Sequence, residues 1–385
     1  MLGEYVSATA VSTATNFIMI QETAFTRTYR TYIKLRENGP LEMKFWHSNV
    51  VDSTWDMGAV AQGSMPGGQW KIESVYVAVS QEERDGSVVP GSGTPITFEG
   101  EYTKHVQPGE QFWSDAVTIN VLPGRDLVFT WTLTTEAAGK SFPYNTEGLL
   151  VSAYAAEGRR ASEESGASFT ALENQLVLPA FIGYKRQVKH RMIFLGDSIT
   201  QGVRTRKDGY EYWAARIADG LNTEYSVWNI GSGWARAYDA AADGSWLVKA
   251  SQGDYVAVVL GVNDIDIGAR SSEELLEDLT AIVRKLKQNP EAKPQIILFT
   301  VPPFNFVEQR EEIWRTVNET LRTRPPEGVD YVFDIAEVLS CAAPDEHRVQ
   351  QKYMSNEFDP HPNGEAGKQV ADAFLKWFKG KSLYF

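Results

Sequence analysis

R-M-I-F-L-G-D-S-I-T-Q-G, residues 191–202, is a short apolar run that stops at a glycine and an aspartate and then delivers a serine. Met192, Ile193, Phe194 and Leu195 suit a buried strand of a parallel sheet. Ser198 then stands at the carboxyl edge of that sheet, where open α/β folds bind ligands. A serine hydroxyl is a weak nucleophile until a base takes its proton, so the reading turns on what partners the chain supplies.

Downstream, strands and helices alternate. Residues 225–230, 255–260, 296–301 and 331–335 are strand candidates. Between them lie helical spacings: Tyr210, Trp213, Ala214, Ile217 and Leu221, then Trp314, Val317 and Leu321, and last Ala366, Val370, Phe374, Trp377 and Phe378. Ser271 with Glu274 makes a capping box ahead of Leu275, Leu279, Ile282 and Leu286. This order implies a parallel sheet covered on both faces.

Upstream the chain reads as mostly β. Residues 41–46, 70–80, 114–121, 125–133 and 148–154 are strand candidates, several with two-fold alternation such as Val117, Ile119 and Val121. Pro-Gly pairs at Pro66-Gly67, Pro90-Gly91, Pro108-Gly109 and Pro123-Gly124 punctuate them. Short strands with such turns argue for a β-sandwich of jelly-roll type. The polar stretch 157–168 reads as a linker or exposed loop. The basic stretch 181–191 reads as a solvated connection between domains. The predicted organisation is a β-sandwich accessory domain over residues 1–185 and a catalytic domain over 186–385.

Of five histidines, His361 stands apart because D-P-H-P-N holds it between two prolines, with Asn363 ready to cap the last helix. A base on so stiff a loop loses little entropy in reaching its working geometry. Asp359, two residues upstream, can hold the other ring nitrogen. Two further loops follow strands, N-I-G-S-G-W and G-V-N-D. Gly231 and Ser198 can present backbone N–H groups and Asn263 a side-chain amide, so three strand ends would aim donors at one oxyanion. Asp197 is expected to bond loop backbone beside the serine, and Trp234 to stand next to the pocket.

With G-D-S-I-T, N-I-G, G-V-N-D and D-P-H-P-N in this order, the chain resembles the SGNH, or GDSL-type, hydrolases over roughly residues 190–380. The resemblance implies a three-layer αβα fold. It also implies Ser198 as nucleophile, His361 as general base, and an oxyanion hole from Ser198, Gly231 and Asn263. Two departures are visible. The family's usual acid position, three before the histidine, is Phe358 here; Asp359 lies two before and Glu357 four before. Either acid, or a dyad oriented by a backbone carbonyl, remains open at this point. The glycine loop is also shortened. Two-domain carbohydrate esterases with an N-terminal β-sandwich are the members it most resembles.

The expected reaction is acyl transfer to water through an acyl-enzyme on Ser198. Aromatic residues of the β region, Trp46, Trp55, Trp70 and Trp113 among them, favour an O-acetylated sugar or oligosaccharide as partner. A short-chain carboxylesterase, thioesterase or lipase-like activity is the second reading. A formal charge of -13 argues against a nucleic-acid partner. No run of 18 apolar residues argues for a membrane span. The first residues lack a basic segment followed by an apolar stretch, so no signal peptide is apparent and a cytoplasmic location is expected. The single cysteine, Cys341, is expected in the core. No cofactor is implied, since G-x-G-x-x-G and phosphate-loop patterns are missing. No metal is implied either, since Asp264 and Asp266 have no histidine or cysteine at ligand spacing.

Overall fold

The apolar run of residues 192–195 becomes the inner part of the strand His190–Gly196, and its last five residues are all buried. It lies between Tyr225–Asn229 and Tyr255–Val259 in a five-stranded parallel sheet that continues through Gln295–Phe299 to Tyr331–Phe333. Both neighbours of the first strand therefore come later in the chain and lie on opposite sides of it. That is the topological switch point of a doubly wound sheet, where a crevice opens beyond the strand ends. Strands 225–229 and 255–259 are buried along their full length; Y-V-A-V-V is accordingly apolar throughout, whereas Y-S-V-W-N carries Ser226 and ends on Asn229. Helices Trp213–Gly220 and Gly364–Gly380 pack on each other, and Ser272–Lys287 packs on Ala237–Ala241 and Gln309–Thr323. The expected capping box forms, Ser271 Oγ accepting from Glu274 N and Glu274 Oε2 from Ser271 N.

The computed structural model describes residues 2–53, 55–56, 60–61, 64–146, 150–242, 244–288 and 293–381. Its chain divides into two units. One holds Met1–Asp52 and Ser64–Gln187; the other holds Ser53–Gly63 and Val188–Phe385. The border thus falls at 187/188, and a short early segment groups with the parallel-sheet unit.

The first unit is built of antiparallel sheets. One runs Tyr5–Ser7, Phe181–Lys185, Gly39–Ser48, Gln111–Trp113, with Val117–Val121 also on Gly39–Ser48. The other runs Thr170–Ala171, Ala153–Glu157, Phe25–Ile33, Leu127–Thr135, Trp70–Val79, Thr94–Ile96, with Lys104–Val106 also on Trp70–Val79. Rings from both meet, Phe45 on Phe129 at 5.0 Å between centroids.

Several expectations need correction. Residues 181–185 are not a solvated connection. They form a buried strand between two others, their only exposed member being Lys185 at its end. Phe25–Ile33 is a further strand, which F-T-R-T-Y-R-T-Y-I does not mark by alternation; one of its arginines stands on the face opposite to the Phe45–Phe129 contact. That residue, Arg30, is buried: its Nε donates to Thr130 Oγ1 at 3.0 Å, its Nη atoms to Gly86 O and Glu163 O, and its guanidinium lies over the Phe169 ring. Trp46 and Trp70 are core residues rather than surface platforms. The side chain of Trp55 and the first residues of the 148–154 candidate lie outside the described residues, and the strand there begins at Ala153. Cys341 is half-buried.

His47 sits at the centre of the first unit's aromatic core, stacked on Phe112 at 5.0 Å and edge-on to Phe98. Among the described residues neither ring nitrogen has a hydrogen-bond partner, and burial pushes its pKa down from 6.5 to about 3. The folded state therefore binds the proton more weakly than the unfolded state. Stability is complete above the unfolded value and is lost as pH falls below it, by up to about 1.4 kcal/mol per pH unit. Urea unfolding between pH 7 and 4 should show this added acid sensitivity in wild type, and His47→Phe should remove it.

Candidate active site

Ser198 opens a single helical turn, Ser198–Gln201, directly behind the strand. Asp197 caps that turn, its carboxylate accepting from Ile199 N at 2.9 Å, as expected for a residue bonding loop backbone. Ser198 occupies the first helical position, where the N–H has no intrahelical acceptor. Ser198 Oγ lies 3.0 Å from His361 Nε2, and His361 Nδ1 lies 2.6 Å from Asp359 Oδ1. The serine, histidine and aspartate singled out by sequence thus form one continuous chain. Glu357 is exposed and the Phe358 side chain is 84% exposed, so neither stands at the ring.

The histidine loop is held from several sides. Asp359 Oδ1 also accepts from His361 N at 3.1 Å, so the carboxylate folds back over Pro360 in an Asx-type turn. Asp359 Oδ2 accepts from Arg204 Nε at 2.9 Å. Burial raises the Asp359 carboxyl, but its bonds to His361 and Arg204 outweigh this and hold it below the usual carboxylate range. Asn363 caps the last helix through Glu365 N and Ala366 N, both at 3.0 Å. The Phe304 ring stands edge-on to His361 at 5.1 Å.

The oxyanion donors are only partly placed as expected. Gly261 turns the chain after Tyr255–Val259 with φ of 129°, a left-handed value that favours glycine, and so starts the short helix carrying Asn263. Asn263 Nδ2 donates one of its two N–H bonds to Ala235 O at 3.0 Å. Gly231 differs from expectation. Its N–H donates to Asn229 Oδ1 at 2.8 Å and is therefore already engaged. What this glycine supplies is room, since a Cβ would lie 2.3 Å from Gln201 N. Asn229 Nδ2 meanwhile bonds Thr200 O at 3.0 Å, so the second loop is fastened to the serine turn at two points.

Trp234 is 40% exposed and has φ of 67°, an uncommon left-handed backbone for a tryptophan. Two buried carboxyls flank the loops. Burial pushes Asp197 up to about 7 against its backbone bonds, with the Asp264 charge adding to the rise. Burial likewise pushes Asp264 up to about 7, although it accepts from Ala237 N at 2.8 Å. Asp266 is bound to Arg310 at 2.9 Å. Among the described residues no cluster of three or more histidine, cysteine or acidic side chains could hold a metal ion, and no helix is long and apolar enough to cross a membrane.

Sequence reasoning missed Arg204, Asn229 and Phe304. Asn229 was available as the polar end of an apolar strand. Phe304 stood in P-P-F-N-F just after another strand. Arg204 carries no local signal, because its partner is 155 residues away.

Residues 194–368 match the GDSL-like lipase/acylhydrolase family. No curated protein matches the chain. Among solved structures it is similar to a G-D-S-L family protein from Desulfitobacterium hafniense DCB-2, at 21% identity and a TM-score of 0.39 over 48% of this chain and 98% of that one. It is similar to a family 3 carbohydrate esterase from Talaromyces cellulolyticus, at 18% identity and a TM-score of 0.36 over 50% and 97%. A family two carbohydrate esterase from Clostridium thermocellum, solved with cellohexaose, aligns with 99% of this chain and 100% of its own at 12% identity and a TM-score of 0.39.

Because Gly231 packs on the serine turn, Gly231→Ala should displace that turn. Overpacking of this kind costs about 1–3 kcal/mol. Denaturation should report that loss, and turnover of a simple ester should fall with it.

Proposed function

Taking residues 194–368 as the GDSL-like lipase/acylhydrolase domain of a carboxylic ester hydrolase, we propose that this protein removes short acyl groups, chiefly O-acetyl groups of carbohydrates, through an acyl-enzyme on Ser198. The observation that carries the reading is the continuous chain from Ser198 Oγ through the His361 ring to Asp359, at 3.0 and 2.6 Å.

In this reading His361 Nε2 takes the Ser198 proton as Oγ adds to the ester carbonyl. The negative oxygen of the tetrahedral intermediate faces Ser198 N–H and the second Asn263 N–H. His361 gives the proton to the departing alcohol, leaving the acyl group on Oγ. A water then repeats the sequence and releases the carboxylic acid. Asp359 keeps the proton on Nδ1 in the resting enzyme and stabilises the imidazolium.

Trp234 beside the shortened loop and Phe304 against the histidine ring support a small acyl pocket. The exposed Trp234 suits the C–H face of a sugar. Residues 1–185 are read as a β-sandwich accessory domain of jelly-roll type, from their two antiparallel sheets with rings in contact. The catalytic domain is read as a three-layer αβα sandwich. One observation favours the second reading, a lipase-like hydrolase of longer acyl chains: Ile267, Val307 and Phe358 are also exposed, Ile267 just after the short helix Val262–Asp266, Val307 after the strand Gln295–Phe299 and Phe358 three residues before His361.

Acetyl and octanoyl esters of one alcohol separate the two. Acetyl esters should give the higher kcat/KM, and a rise toward eight carbons would move the protein to the lipase-like class. Asp359→Asn keeps the shape and removes the charge. It should lower kcat at least about 10²-fold near pH 7, within the range known for orienting acids; a fall below about threefold would leave a dyad.

A further inference from the structure

The carboxylate of Asp359 is held on both oxygens. Oδ1 accepts from the His361 ring at 2.6 Å and from its backbone N–H at 3.1 Å, and Oδ2 accepts from Arg204 Nε at 2.9 Å. Arg204 comes two residues after Gly202, where the serine turn ends. Gly202 N and Val203 N both donate to Ser198 O, at 2.9 and 3.0 Å. The backbone of Arg204 has φ of 71°, a left-handed value that a long side chain adopts only where its surroundings hold it there. Thr205 Oγ1 fixes the same corner by donating to Gly202 O at 2.7 Å.

An acid so close in sequence to its histidine is free to swing about its own side-chain bonds, because the loop is half open to solvent. The Asp359 side chain keeps 23% of its exposure and that of Arg204 49%. Asn356 Oδ1 fixes only the backbone, accepting from Phe358 N and Asp359 N at 2.9 and 3.1 Å. The outer oxygen has one charged donor, and that donor belongs to the serine segment.

We propose that Arg204 is a positioning residue, which pins the outer oxygen of Asp359 so that the inner oxygen stays on His361 Nδ1. It also ties the segment that places the nucleophile to the loop that places the base. The proposal rests on the reading of Asp359 as the orienting acid. The other charges on these segments, the Arg206–Glu211 pair at 2.8 Å and the exposed Glu357, are unchanged in the variants below.

The test is kcat and KM for wild type, Arg204→Gln, Arg204→Lys, Asp359→Asn and the Arg204→Gln/Asp359→Asn double variant. Arg204→Gln should lower kcat about tenfold, short of the roughly 10²-fold that an ångström's misplacement can cost, and leave KM within about twofold. Arg204→Lys keeps the charge and loses the fixed fork, so its kcat should lie between the two. It also serves in place of a glutamine variant that fails to fold. In the Asp359→Asn background, Arg204→Gln should cost nothing further. A raised KM with kcat unchanged, or an equal loss in the Asp359→Asn background, would each overturn the proposal. If Asp359→Asn itself is near wild type, the acid reading falls. If Asp359→Asn is crippled and Arg204→Gln is not, this proposal alone falls.

Discussion

An aspartate can hold the ring of a histidine two residues away only if its carboxylate folds back across the residue between them. Here that residue is Pro360, whose ring fixes one backbone angle and biases Asp359 toward extended values. The rest of the histidine arm follows from this constraint. Ser355 N donates to His361 O at 2.8 Å, and Ser355 Oγ to Asp359 O at 3.2 Å. Asn363 N returns to Tyr353 O, while its side chain donates to Lys352 O and Met354 O. The loop is thus a small knot of hydrogen bonds hung on the N-terminus of the last helix. Its stiffness comes from polar bonds near solvent rather than from burial.

The serine side is held by the opposite means. Ser198, Ile199, Thr200 and Gln201 are all buried, and Asn229 and Gly231 press the neighbouring loop against them. Close packing leaves such a turn little freedom to relax. The flanking carboxyls fit the same logic. Asp197 and Asp264 are both buried, and each is held by backbone N–H groups of the loops, Asp197 by Ile199 N and Asp264 by Ala237 N.

The parallel sheet was legible because its middle strands are buried on both faces, so runs such as Met192–Leu195 and Tyr255–Val259 are apolar throughout and need no alternation to be recognised. The catalytic chain was legible because D-P-H-P-N and G-D-S-I-T are local patterns. The first unit was less so. Phe25–Ile33 lies in the middle of its sheet, yet two arginines, three threonines and two tyrosines hide the alternation, and the strand works because Thr28 and Arg30 bond across to Thr132 and Thr130. Phe181–Lys185 was obscured by the lysines and arginines that follow it. Its own first four residues are as buried as any strand in the molecule. Asp359 was reached by sequence on the ground that residues two apart share a side of an extended stretch. The structure keeps the pairing but shows a carboxylate turned back onto the following N–H.

What sequence does not carry is a partnership between distant side chains with no periodic trace. Gly231 shows this for a backbone donor: a glycine beyond a strand reads as an available N–H, and only the position of Asn229 Oδ1 shows that it is engaged. Arg204 shows it for a charge. In a chain with 37 lysines and arginines, nothing local marks this one. Its strained backbone and its bond to Asp359 appear together only when the two segments lie side by side. The two halves of the site differ in how they resist motion, one by packing and one by hydrogen bonds. A bond across the join is therefore the point at which the two kinds of order must agree, and a side chain long enough to span it, with a charge that does not titrate, is physically suited to that place.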